Sequence, residues 1–253
     1  MIPLPRLLVT RFSPHAEQLA GALREAGYFA LTQPLLGIKP TQDHKQLKKF
    51  IDGDFDIVIA VSGNAVTYTR QMLQQVWPAA IYLAVGASTQ AALNKQVQGA
   101  VITPTTHFDS EGLLALDVLQ HVQGKQILIL RGQGGRDLLD KTLIERGARV
   151  EFLESYKRVA LPIDGNQLRN NCQQADINGA IISSIEILNQ LFTLVTNQHK
   201  NWLNTLTFYV PSERVAEYGA SLGLKRLVVL PSLQADKIIT FFKENNGNPV
   251  GFN

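Results

Sequence analysis

Six short clusters combine small hydroxyl residues, glycine and arginine in patterns that could bind and orient an anion. They are residues 10–13 (TRFS), 61–64 (VSGN), 85–89 (VGAST), 131–136 (RGQGGR), 183–186 (SSIE) and 210–214 (VPSER). The residues singled out are Thr10, Arg11, Ser62, Gly63, Asn64, Gly86, Ala87, Ser88, Thr89, Arg131, Gly132, Ser183, Ser184, Pro211, Ser212 and Arg214. Their chemistry would be recognition. Free backbone N–H groups at helix N-termini bind carboxylates or phosphates without a charged side chain. The plainer role of any one loop is that its Ser, Thr or Asn caps the helix that follows. Six loops in two matched sets argue for more than capping. Arg11 and Arg131, equivalent to each other in those sets, either face an anion or end a strand in a salt bridge.

More reactive constellations do not occur. RGQGGR has neither the order of a P-loop nor the spacing of a dinucleotide fingerprint. The five histidines are scattered and form no ligand spacing with Asp, Glu or Cys, so no metal is expected. No GxSxG elbow and no acid pair is present. The lone Cys172 lies in a polar stretch without a neighbouring His and reads as an incidental helix-face residue.

The elements that must position these loops come in two copies. LLVTR at residues 7–11 returns as ILILRG at 127–132, and Leu23 and Gly27 return as Leu143 and Gly147, both at a shift of 120. The shift then drifts as unequal loops would make it drift: Ser62 falls on Ser184 (122), Ser88 on Ser212 (124) and Pro104 on Pro231 (127). A period near half the chain implies two copies of one supersecondary unit. In each copy, short apolar runs alternate with helical segments, a pattern that calls for parallel sheets covered on both faces. The expected fold class is α/β: two similar doubly wound parallel-sheet domains of about five strands each.

Expected strands include residues 7–11, 57–61, 81–85, 101–103, 127–130, 180–183, 206–210 and 227–230. Among the expected helices are 109–122 and 136–146, and one opening at Pro14 with Ser13 as its N-cap. Two longer extended segments, 28–38 and 150–160, stand apart. Pro34 confines the first to an edge or a connection. Residues 245–253 lack any period and read as a frayed tail.

Composition narrows the class. The chain has 253 residues, 45% of them hydrophobic and 18% charged, and a net charge of +3, all ordinary for a soluble globular protein. Its Lys and Arg residues are scattered rather than striped, which argues against nucleic-acid binding. No apolar run nears the ~18 residues of a membrane span. The opening MIPLPRLLVTR lacks a leader's apolar core, so a cytoplasmic protein is expected.

Taken in order, LLVTR, VSGNAV (61–66), VGASTQAAL (85–93), FDSEGLL (108–114), ILILRGQGGRDLL (127–139), GARVEFLESYKR (147–158) and VPSERVAEYGASLG (210–223) resemble the uroporphyrinogen-III synthase family across nearly the whole chain. The resemblance implies a cofactor-free enzyme that closes linear hydroxymethylbilane to uroporphyrinogen III with loss of water and inversion of ring D, through a spiro intermediate. It implies two α/β domains joined by a pair of strands, the first domain discontinuous: 1–33 with 166–253, then 42–149, with 34–41 and 150–165 connecting. The substrate would sit in the cleft between them. The family's strand tyrosine matches Tyr156, expected as a general acid or as the group that positions the leaving hydroxyl. Thr89 matches a family threonine, and Ser212 stands for its second-half counterpart. Departures are Phe12 for a proline, Ser184 and Ile185 for a Thr-Ser pair, and Val210 for a glycine. The implied partners are hydroxymethylbilane and a transient hand-over from hydroxymethylbilane synthase, with no nucleic acid or membrane, and a monomeric state.

This reaction accounts for the lack of reactive motifs. A hydroxymethyl pyrrole loses water readily, and unassisted closure gives the uninverted isomer, so the enzyme's task is to hold a flexible octacarboxylate. One alternative is a two-lobed binder of an anion or tetrapyrrole without turnover. A regulatory tetrapyrrole sensor would need an appended segment, and the repeat accounts for almost all residues.

Overall fold

The computed structural model describes residues 4–73, 75–135 and 137–245. Arg136, expected to open a helix, and nearly all of the expected C-terminal tail lie outside them. The described strands are β1 (Arg6–Val9), β2 (Phe29–Thr32), β3 (Leu36–Pro40), β4 (Ile57–Ala60), β5 (Ile81–Ala84), β6 (Gln126–Gly132), β7 (Arg149–Ala160), β8 (Gly179–Ile181), β9 (Thr207–Val210) and β10 (Leu227–Val229). The chain divides into two compact units, one made of the residues up to Gly37 and from Val159 onward, the other Ile38–Arg158.

The first unit has the sheet order β10-β9-β8-β1-β2, and every pairing in it is parallel. Side chains alternate across a strand, and here both faces are buried. Leu8, Ala180 and Phe208 face a core with helices Gly165–Gln174, Ile185–Leu194 and Glu213–Ser221. Leu7, Val9, Ile181 and Tyr209 face the opposite core, closed by helices His15–Glu25 and Ala235–Glu244. Phe242 wedges there between Tyr28 and Tyr209, with ring centroids 5.4 and 4.9 Å away.

The second unit has the order β3-β7-β6-β4-β5. Val58, Ala60, Leu128 and Leu130 face one core and Ile57, Ile59, Ile127 and Ile129 the other. Matched through the repeat, β7-β6-β4-β5 corresponds to β2-β1-β8-β9, so both halves build the same parallel, doubly wound sheet. β3 is an addition at the edge beside β7.

Several elements differ from expectation. Segment 28–38 is two strands, β2 and β3, each at the edge of a different sheet. The strand expected at 101–103 is a single parallel bridge, Leu83 with Ile102, led in by Gly99 at φ 105 and followed by Pro104. The helix expected at 109–122 is only Ser110–Leu114, followed by a single turn at Asp117–Leu119. Leu116 turns extended (ψ 135) between them, and Arg146 donates to the carbonyls of Leu114 and Leu119 at 3.0 and 2.8 Å, which satisfies the broken end. Ser13 is no N-cap: helix His15–Glu25 has no side-chain cap, and the Ser13 hydroxyl donates instead to Glu17 at 2.6 Å.

Candidate active site

In the second unit the carboxyl ends of β4, β6 and β7 converge on a cavity of about 360 Å³ lined by Ser62, Val85, Asp109, Arg131, Gly132, Tyr156 and Arg158. Open α/β sheets bind ligands at this edge. Tyr156 comes from the long strand β7 and is 6% exposed. Its hydroxyl lies 3.2 Å from the Ser62 hydroxyl, which also accepts from the Ala65 N–H (3.1 Å) as N-cap of helix Gly63–Met72. Its ring packs near Tyr68, with centroids 5.8 Å apart.

The ring is seated against Gly132. A Cβ at 132 would lie 2.4 Å from Tyr156 Cζ, so only glycine admits the tyrosine there. The pairing of β6 with β7 is irregular at this point: Arg131 faces Glu154, but Gly132 faces Tyr156. A bulge of this kind re-aims a side chain. Gln133 N–H donates to the Tyr156 carbonyl at 2.7 Å on the far side of the irregularity.

Arg131 ends its strand in a salt bridge. Its Nε and Nη2 donate to Glu154 Oε1 at 3.2 and 3.1 Å, and the guanidinium lies 4.0 Å over the Phe152 ring. Three of its five N–H donors remain for a ligand. Arg11, its equivalent in the first unit, is held differently. It donates to the Leu233 carbonyl at 2.8 Å and pairs with no carboxylate among the described residues, and burial lowers its pKa.

The other predicted residues fall into two groups. Thr10 is fully buried and donates to the Ile181 carbonyl at 2.8 Å, so its hydroxyl serves the sheet. Ser184 caps its helix by accepting from Ile187 N–H at 3.3 Å, as Ser62 does in its own. Ser212 heads helix Glu213–Ser221 with no side-chain cap bond, which leaves its hydroxyl uncommitted, and Arg214 is exposed beside it. Gly86 precedes helix Ala87–Leu93, where Ser88 is exposed and Thr89 buried, and Phe108 lies against the glycine. Gly63 and Asn64, with Ala87 and Ser88, form first helical turns whose N–H groups have no intrahelical acceptor. Thus Ser62, Arg131, Gly132 and Tyr156 gather at one cavity of the second unit. Thr10, Arg11, Ser183, Ser184, Pro211 and Ser212 belong to strand ends of the first, and Arg214 to the first turn of the helix that follows.

Sequence reasoning missed Asp109, whose carboxylate caps helix Ser110–Leu114 through the Gly112 N–H (2.9 Å), and Ser155, fully buried beside Tyr156. Asp109 before SEG carried a readable capping signal. Ser155 carried none, because a register shift between parallel strands leaves no mark on composition. Among the described residues no three His, Cys, Asp or Glu side chains gather to hold a metal ion, and no helix is long and apolar enough to cross a membrane.

Comparison with known proteins agrees along nearly the whole chain. A family model described as "Uroporphyrinogen-III synthase HemD" matches residues 17–240. The uroporphyrinogen-III synthase of Escherichia coli K12 is 35% identical over 240 residues, 92% of this chain and 98% of that protein. The Salmonella typhimurium enzyme of the same name is 33% identical over the same shares. Among solved structures, a mutant uroporphyrinogen III synthase from the extremely thermophilic bacterium Thermus thermophilus superposes with a TM-score of 0.63 at 17% identity, covering 97% of this chain and 100% of that one. Uroporphyrinogen-III synthetase from Helicobacter pylori 26695 gives 0.62 at 14% identity, over 96% and 99%. At these identities the two structures speak for the fold.

Proposed function

Because the chain belongs to the uroporphyrinogen-III synthase family, we propose that it closes hydroxymethylbilane to uroporphyrinogen III by holding the substrate in one conformation, with Tyr156 assisting departure of the hydroxyl. The chain is an enzyme of haem biosynthesis, a cyclising hydro-lyase, and the family favours turnover over a binder that does none. What supports the role of Tyr156 is the pairing of its hydroxyl with that of Ser62 in a cavity that also holds Arg131, Arg158 and Asp109, the last engaged as the cap of helix Ser110–Leu114.

The steps follow from that arrangement. The hydroxymethyl carbon of ring A loses its hydroxyl while the Tyr156 O–H donates to the leaving oxygen, and Ser62 holds the phenol in place. The ring left behind is electron-poor at its exocyclic carbon. The substituted carbon of ring D attacks there to form the spiro intermediate. The bond from that carbon to the bridge toward ring C breaks and leaves an electrophilic exocyclic carbon on ring C. The free α-carbon of ring D attacks it, and loss of the proton from that α-carbon restores the pyrrole and balances the proton given up by Tyr156. Unoccupied N–H groups at the loop helix termini and the free donors of Arg131 would bind propionate and acetate groups. Little else is asked of the protein, since selecting one conformer of a flexible chain removes most of the entropic barrier.

The same reading makes the protein a cytoplasmic monomer that needs no cofactor and receives its unstable substrate in transient hand-over from hydroxymethylbilane synthase. In a coupled assay that generates hydroxymethylbilane and resolves the oxidised isomers, the wild-type protein should give predominantly isomer III. Tyr156→Phe should lose about 10²-fold in kcat, the lower end of the range for a lost general acid. Near-normal turnover by that variant would leave positioning by the loops as the whole mechanism.

A further inference from the structure

Side chains alternate along a strand, so residues three apart belong on opposite faces. Strand β7 departs from this. Leu153 and Tyr156 both pack into the core layer that holds Ala65 and Val66 of helix Gly63–Met72. The step falls at Ser155, which the pairing with β6 skips as it passes from Arg131–Glu154 to Gly132–Tyr156.

Ser155 is fully buried, and its hydroxyl donates to the Ala65 carbonyl at 3.0 Å. Ala65 sits in the first turn of its helix, so its carbonyl already has the helical N–H four residues on. The Ser155 bond is therefore additional to what the helix requires. One residue later, the Tyr156 hydroxyl meets Ser62, the N-cap of the same turn. Consecutive residues of the bulge thus grip one helical turn at two points, and Gln133 N–H holds the Tyr156 carbonyl from the β6 side. A buried hydroxyl is costly unless it is bonded, and this one is bonded where it fixes the bulge.

We propose that Ser155 is a positioning residue for the reaction: its bond to Ala65 holds the β7 bulge in the one register that points the Tyr156 hydroxyl at Ser62 and the cavity. The proposal rests on the role given to Tyr156 above. Without the bond, the bulge keeps its backbone ties, Thr41 N–H to the Ser155 carbonyl and Gln133 N–H to the Tyr156 carbonyl, but loses the side-chain tie to the helix that fixes the aim of the Tyr156 hydroxyl at Ser62.

The test is a double-mutant cycle in the isomer-resolving assay, with thermal unfolding measured on every variant. Ser155→Ala should lower kcat about tenfold with KM within about twofold, and raise the share of isomer I as uncatalysed closure competes. In the Tyr156→Phe background the same change should cost less than about twofold, because the hydroxyl it aims is gone. Ser155→Cys, of similar size but a poorer donor, should fall between wild type and Ser155→Ala, and it carries the test should the alanine variant fail to fold. An equal loss in both backgrounds would make Ser155 merely structural and overturn the proposal. Full activity of Ser155→Ala alongside an impaired Tyr156→Phe would overturn it while leaving the tyrosine's role standing. Full activity of Tyr156→Phe would overturn both.

Discussion

An alanine at position 132 would put its methyl 2.4 Å from the Tyr156 ring, closer than any real packing allows. The ring must leave or the strands must part. We expect Gly132→Ala to cost about 1–3 kcal/mol of stability, the usual range for overpacking, and to lower turnover at least tenfold through loss of the Tyr156–Ser62 bond. Unfolding by urea and the isomer assay read the two effects, and a variant normal in both would mean that the ring is not held against this glycine. Gly132 stood among the candidates as one residue of a glycine-bearing loop, and its part in seating a side chain 24 positions further on (156 minus 132) was not readable there. Contacts between distant positions leave no periodicity in the chain. The arginines show the same limit. The repeat made Arg11 and Arg131 equivalent, yet one donates to a carbonyl and the other to a carboxylate, because only β7 supplies a glutamate beside it.

At the scale of elements, the loops that look alike in sequence divide by whether their serine is used as a cap. Ser62 and Ser184 accept from the N–H three residues on, whereas Ser212 does not. Ser184→Ala should therefore cost about 1 kcal/mol, and Ser212→Ala a few tenths at most. Equal losses in thermal unfolding would contradict this assignment. Any fall in turnover of Ser212→Ala at unchanged stability would then report on substrate, since its hydroxyl has no structural task. Helix and strand positions were legible where a strand is a short apolar run followed by a capping residue, as in Ile57–Ala60 followed by Ser62. The helix expected over 109–122 failed where Arg146, from a different helix end, takes up carbonyls that would otherwise have continued it. No local pattern announces such a partner.

For the molecule as a whole, both sheets are packed on two faces, and the titratable groups caught in those layers are neutral. Burial pushes the Cys172 thiol up to about 12 from 9.0 and the Tyr209 phenol up to about 12 from 10.0, and it raises Tyr82 as well. Below about pH 8 these groups are protonated whether the chain is folded or not, so their contribution is fully present and independent of pH. At higher pH the unfolded chain releases protons that the folded chain keeps, and stability falls as pH rises toward about 12. The urea midpoint should accordingly be insensitive to these groups from about pH 7 to 8 and decline beyond. A midpoint constant to about pH 11, or a decline unaltered by Tyr209→Phe, would rule out these residues as its cause.

The first unit is written in two pieces, with the 121 residues Ile38–Arg158 between them (158 minus 38, plus one). Its inner strand β1 pairs with β2 on one side and with β8 on the other. A ribosome delivers β1 and β2 first and must then release the whole second unit before β8 exists. During synthesis the opening strands therefore wait with one edge bare, while the intervening unit has all its own strands and folds ahead of them. A strand made after the second unit completes a sheet begun before it.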